Sequence, residues 1–205
     1  NAASSGFNDN PCKTPRPFDR DRDGMVCAEG AGVVLLESLD SALSRGAGIV
    51  AEIIGFATLS DTGNIAHPDP AVMERCMRLA LEDAGLTPSQ AHYVNAHATG
   101  TPQGDVAECA AIAQVFGGSI PVSSFKGHLG HAMAASGSLE LIAALELARR
   151  NLLVPTLNLE NIDPLCSAVC HPRALQISPI SVLVKNSFAL GGVNSTLVVR
   201  RYAND

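Results

Sequence analysis

The sequence predicts a layered α/β fold, and three observations carry that expectation. Stretches with strand character alternate with stretches of helical spacing. Polar, glycine-rich turns separate them in the order strand, turn, helix. A hydrophobic content of 46% in 205 residues supplies enough apolar mass for a sizeable core. This length allows one domain or at most two. The net charge of −6 offers no footprint for nucleic acid, and no Lys/Arg cluster marks a membrane surface. No apolar run approaches a membrane span, and residues 1–7 lack the features of a signal peptide, so a cytoplasmic setting is expected.

Residues 1–24 are rich in Pro, Asn, Asp and Arg and read as an irregular arm, with residues 25–205 as the folded domain. Residues 31–37 (Ala-Gly-Val-Val-Leu-Leu-Glu) read as a buried strand, Ser38 as a helix cap, and Gly46 as a stop before a long strand over 49–59. After a polar loop over 60–70, Met73, Met77, Ala80, Leu81 and Ala84 recur at helical spacing, and Gly85 ends that helix. A short strand over 93–96 delivers His97 to its end. A helix over 105–116, a strand over 120–124 and a long helix over 130–149 follow. The tail adds strands over 174–177, 182–188 and 195–200, with Gly191 and Gly192 making a tight reversal.

Two turns hold the chemistry. Asn95-Ala-His97-Ala-Thr99-Gly-Thr101 and Lys126-Gly-His-Leu-Gly-His131 each place an imidazole between a strand and a helix. Neutral imidazoles donate hydrogen bonds without giving up a net proton, which suits a site where negative charge develops on oxygen. His67, His92 and His171 read as structural residues. His128 and His131 as a metal pair is disfavoured by the Gly-containing turn between them and by the lack of a joining carboxylate. Lys126 lies in a nearly uncharged turn, where burial demands a counter-ion, and Glu140 is the candidate.

Other motifs dissolve on inspection. Asp19-Arg-Asp21-Arg-Asp23-Gly24 imitates the start of a calcium loop, but Gly30 occupies the position of the closing glutamate. A turn cross-linked by charged side chains is the better reading, with Glu29 as a partner for the arm. Gly30-Ala-Gly32 leads into no helix, so close packing explains it better than a phosphate cradle. Cys76 and Cys109 read as small core residues. Cys166 and Cys170-His171 lack both the spacing and the second ligand pair of a metal site.

Arg16-Pro-Phe-Asp-Arg-Asp-Arg-Asp-Gly24, Glu29-Gly-Ala-Gly32, the two histidine turns and Lys185-Asn-Ser-Phe-Ala-Leu-Gly-Gly-Val-Asn194 together resemble the C-terminal half of a β-ketoacyl synthase of the thiolase superfamily. The resemblance implies half of an α-β-α-β-α layered fold. It also implies the condensation of an acyl thioester with malonyl-acyl carrier protein in fatty acid or polyketide synthesis. His97 and His131 would bind the thioester oxygen, and Lys126 would orient the site through Glu140. Thr99 and Thr101 would hold the phosphopantetheine arm, and Phe188 would contact substrate. The backbone N–H of Leu190 would complete a second oxyanion hole, and its side chain would stand at the acyl gate, where the family carries phenylalanine. No cofactor is implied beyond carrier-borne phosphopantetheine, and no metal.

The implied partners are an N-terminal half bearing the nucleophilic cysteine, a second ketosynthase or chain-length-factor subunit, and acyl carrier protein. Cys12, in a proline-flanked loop, lacks the strained turn at a helix N-terminus that activates a thiolate. The chain is therefore expected to be a fragment or one subunit of a split synthase, inactive and poorly soluble alone. A non-catalytic partner resembling a chain-length factor is the alternative, and retention of His97, His131 and Lys126 speaks against it.

Overall fold

The computed structural model describes residues 2–61, 63, 68–189 and 191–202. Its centre is a five-stranded sheet built from β1 (Ala51–Ser60), β2 (Tyr93–Asn95), β3 (Val122–Ser123), β6 (Val182–Phe188) and β7 (Val193–Arg201) in the order β1-β7-β6-β2-β3. β1, β7 and β6 run antiparallel to their neighbours, whereas β6, β2 and β3 run parallel. The parallel edge brings the C-terminal end of β2 beside that of β6, and functional turns in such sheets gather there.

The period of two along β6 sorts its side chains between two cores. Val182, Val184 and Phe188 pack with helices α2 (Pro70–Asp83) and α3 (Pro102–Phe116), while Leu183 faces helix α5 (Ser136–Arg149). The chain thus forms three layers, helix, sheet, helix. In α2 the expected stripe is buried, with Met73, Cys76, Met77, Ala80 and Leu81 facing the sheet. Asp69 caps its start by accepting from Ala71 N–H at 2.8 Å, and Gly85, at φ 64°, ends it. At Gly55 a Cβ would collide with the Ala80 carbonyl, so this position in β1 lets α2 lie directly on the sheet. Cys76 and Cys109 are core residues, as their apolar settings predict.

The arm is held by charge. Asp19 accepts from the backbone N–H groups of Glu160, Asn161 and Asp21 and pairs with Arg16, while Arg22 reaches Asp163 at 2.6 Å. Asp23 binds Ser4, Ser5 and Gly6. These contacts make Asp19 to Gly24 the cross-linked turn that the failed calcium pattern left as the alternative. Glu29 is not part of it: the residue is exposed and, among the described residues, forms no ion pair with the arm.

Three expected elements differ. The long helix expected over 130–149 begins only at Ser136, as α5; the single-turn helix α4 (Lys126–Leu129) and a 3-10 turn precede it, and Gly130 and Met133, at φ 70° and 49°, interrupt the path. The strand expected over 174–177 shortens to β5 (Gln176–Ile177), paired with β4 (Leu152–Leu153). Residues 31–37 are no strand. They lead as irregular chain to the short helix α1 (Leu39–Ser44), which Ser38 caps as expected. Val33 is 90% exposed and Leu36 68%, where a buried strand was predicted. Among the described residues no neighbouring strand offers this segment backbone partners, and an apolar strand without a ladder or a second layer cannot be buried.

That apolar strip has a measurable consequence. In isolation the chain should self-associate and bind a hydrophobic dye, and Val33→Asp with Leu36→Asp should reduce both without lowering the melting temperature. A monodisperse, dye-silent, unsubstituted chain in light scattering would count against this.

Candidate active site

The loop after β2 is pinned at nearly every amide. The Ala96 N–H donates to Ser123 O at 3.0 Å. The Glu108 carboxylate, on the second turn of α3, accepts from His97 N–H at 2.9 Å and Ala98 N–H at 2.7 Å. Asn186 Nδ2 adds a third bond to Glu108 at 3.0 Å, joining β6 to the loop. Asp105 accepts from Gly100 N–H and Phe18 N–H. Burial pushes Asp105 up to about 7 and raises Glu108, against the pull of their donors.

The second histidine is fixed as firmly. Gly130 takes the left-handed conformation that closes α4, and the next residue then runs beside residues 26–28: His131 N–H donates to Val26 O at 2.8 Å and Ala28 N–H to His131 O at 3.0 Å. Met133 N–H donates to His131 Nδ1 at 3.0 Å. A backbone N–H can only donate, so Nδ1 carries the lone pair and Nε2 carries the proton. Ser136 Oγ lies 3.0 Å from the same Nδ1.

The His97 and His131 rings meet at 5.5 Å between centroids and 84° between planes, and the Phe188 ring lies 6.4 Å from that of His97. Both imidazoles are held below the ordinary 6.5. Burial is the main cause for each, followed by the positive charge of Lys126. The pair is therefore uncharged at neutral pH and able to donate. Lys126 is 1% exposed, with Nζ 2.6 Å from Glu140 Oε1; burial lowers it to about 8, partly offset by Glu140. Thr99 Oγ1 and Thr101 Oγ1 lie 3.1 Å apart at the start of α3.

Two neutral imidazoles, one with its Nε2–H set by its partners, and a paired ammonium nearby can stabilise an oxyanion or enolate. Residues 50–160, more than half of the chain, match the family described as beta-ketoacyl synthase, C-terminal domain, and residues 2–42 match the corresponding N-terminal domain. The chain belongs to the β-ketoacyl synthase family. It is 42% identical to 3-oxoacyl-[acyl-carrier-protein] synthase 2 of Synechocystis, over 98% of this chain and 49% of that protein. A crystal structure of a beta-ketoacyl synthase from Burkholderia phymatum superposes with a TM-score of 0.96 at 44% identity, over 98% of this chain and 50% of that one. A type II PKS acyl-carrier protein in complex with its ketosynthase, bound to the hexaketide, gives 0.90 at 35% identity, over 95% and 49%. The chain spans about half the length of the relatives it matches.

Of the site residues read from the sequence of this β-ketoacyl synthase chain, the fold brings His97, His131 and Phe188 into one cluster and pairs Lys126 with Glu140. Leu190 lies outside the described residues, as does His67. His128 turns away: its Nε2 meets Pro155 O at 2.9 Å, so it shares no ligand position with His131. His171 bonds Cys166 O at 2.8 Å and packs on Phe18, while Cys170 is exposed. Among the described residues no His/Cys/Asp/Glu group could hold a metal ion, and no helix is long and apolar enough to cross a membrane. Cys12 is exposed and donates to Asn10 Oδ1 at 2.7 Å.

Sequence reading missed Glu108, Asp105, Asn186 and Lys185. The carboxylates on α3 carried one signal, two acids one turn apart on an otherwise apolar helix. Lys185 carried another, a lysine inside an apolar strand.

Proposed function

We propose that this chain forms one half of an elongating β-ketoacyl-acyl carrier protein synthase, serving fatty acid or polyketide synthesis. An N-terminal half supplies the nucleophilic cysteine. The observation that carries this reading is the perpendicular, uncharged pair of His97 and His131, 5.5 Å apart. The cysteine thiolate first takes the acyl group from its carrier thioester. Malonyl-carrier protein then loses its carboxylate as carbon dioxide, and the released electron pair moves onto the thioester carbonyl oxygen as an enolate. His97 and His131 donate to that oxygen, and more strongly as its charge grows, which lowers the barrier beyond any effect on binding. The enolate carbon attacks the acyl-cysteine carbonyl, the thiolate leaves, and the chain is longer by two carbons.

Thr99 and Thr101 hold the phosphopantetheine arm, which arrives on the carrier protein, so no resident cofactor is required. Phe188 lines the acyl side of His97, and Leu190 supplies a backbone donor and a gate narrower in reach than an aromatic ring. The relative solved with its acyl-carrier protein supports a carrier-borne substrate, and a second synthase or chain-length-factor subunit would complete a cytoplasmic dimer. Retention of the histidine pair and Lys126 favours a catalytic half over a silent partner.

The test is to assay formation of the β-ketoacyl product from acyl- and malonyl-carrier protein by this chain alone and joined to its cysteine-bearing half. Turnover should appear only in the joined form, and a joined, folded complex that forms no β-ketoacyl product would refute the proposal. A pH profile adds a second check. The imidazoles must be neutral, so the acid limb should lie below the ordinary 6.5, and the alkaline limb should fall near Lys126's value of about 8. Activity that rises only above pH 7 would contradict the neutral-donor role.

A further inference from the structure

Glu140 has two partners. Lys185 Nζ stands 2.7 Å from Glu140 Oε2, on the oxygen that Lys126 leaves free, and both lysines and the carboxylate are at most 2% exposed. Lys185 sits on β6, the middle strand of the sheet, with its backbone opposite Asn95 of β2 and its side chain on the α5 face. Its ammonium also donates to the Asn186 carbonyl and lies 3.4 Å from Ser187 Oγ. A lysine on a central strand is costly to bury. One carboxylate balances one ammonium, so a second buried lysine is not explained by charge neutrality.

Resting on the ketosynthase reading above, we propose that Lys185 is a second cationic positioning residue of the active site: by sharing Glu140 with Lys126 it leaves the buried triad one positive charge in excess beside the histidine pair. That excess favours the developing enolate and resists formation of imidazolium. The groups facing the triad agree with this assignment. Lys126 comes from α4, Glu140 from α5, His97 and Tyr93 from β2 and its loop, and His131 from the turn after α4. Among the described residues Glu108 on α3 is an opposing charge, and it is engaged by the His97 and Ala98 amides and by Asn186. After burial, Lys126 and then Lys185 are the lysine charges that hold both imidazoles low, with Glu140 opposing at His131, and Lys185 also contributes to lowering Lys126.

Removing one positive charge raises the pKa of every neighbour, because a protonated base then faces less repulsion and an ionised acid loses attraction. In the complete synthase, Lys185→Met should therefore move both limbs of the decarboxylation pH profile upward by about half a unit or more. At the plateau, kcat should fall by about threefold to tenfold with little change in KM. Lys185→Arg should restore both limbs. A loss of packing alone would lower the plateau and leave the limbs in place. Methionine is tolerable in shape, since the lysine stem lines an apolar cavity of about 210 Å3 with Val34, Phe56, Leu141 and Leu197.

NMR titration of the His97 and His131 rings reads the same shift without turnover, so it decides the role of Lys185 even if the synthase proves unable to decarboxylate malonyl groups and the functional reading fails. Lys185→Gln serves as a second neutral variant. A folded neutral variant with unmoved limbs and unmoved imidazole titrations overturns the proposal, and so does failure of both neutral variants to fold, which would assign Lys185 to stability alone.

Discussion

Alanine in place of His97 or His131 in the complete synthase should lower malonyl decarboxylation by about 10²–10³-fold, the usual effect of removing one oxyanion donor. Transfer of the acyl group to the cysteine, measured with radiolabelled acyl-carrier protein, should be affected far less, because in the proposed mechanism the pair acts on the malonyl oxygen. The double variant loses less than the product of the two single losses, since both rings serve one oxygen. Asparagine at either position should recover part of the rate if the proposed act is donation of an N–H, which a carboxamide performs, and not proton transfer. For His131 the recovery is smaller, because Met133 N–H and Ser136 Oγ aim the imidazole through Nδ1 and a shorter side chain misses that anchor. Unaltered decarboxylation in both alanine variants would remove the chemical basis of the assignment.

Glu140→Ala has the largest expected effect on stability. The substitution leaves two ammonium groups buried with no carboxylate between them, and breaking a buried pair in this way costs about 3–5 kcal/mol. Exposed pairs such as Arg149 and Arg150 with Glu146 lie at the surface, where water and salt screen them, and contribute little. A lowered urea midpoint of the complete synthase would report the difference, against a near-silent Glu146→Ala. The triple variant Lys126→Met, Glu140→Leu, Lys185→Met should recover most of the lost stability, because apolar side chains of similar volume replace a costly ionic cluster at little penalty. It should not recover decarboxylation. A stable Glu140→Ala protein would show that water or relaxation compensates the lysines and that the triad is not the rigid unit described above.

Local patterns sufficed for much of the site. The stripe of Met73, Met77, Ala80 and Leu81 identified α2, since a one-sided apolar face follows from 3.6 residues per turn whatever it packs against. His97 at the end of a short strand and Lys126 in an uncharged turn were legible for the same reason, and the Lys126 to Glu140 pair followed from helical periodicity. Residues 31–37 show the limit. Their composition reads as a buried strand, yet burial depends on a neighbouring surface that the described residues do not supply.

What the amino-acid order determined by itself was the alternation of elements, the arm cross-linked by charge, and the two turns that carry imidazoles. Tertiary structure alone decided that those rings meet at right angles, that His131 exposes Nε2–H, that Glu108 of α3 ties down the His97 loop, and that Lys185 joins Glu140. The reason is range: helical and strand periodicity is written in neighbouring residues, whereas the charge state of a buried group depends on atoms brought together from distant strands and helices, and only folding sets those distances.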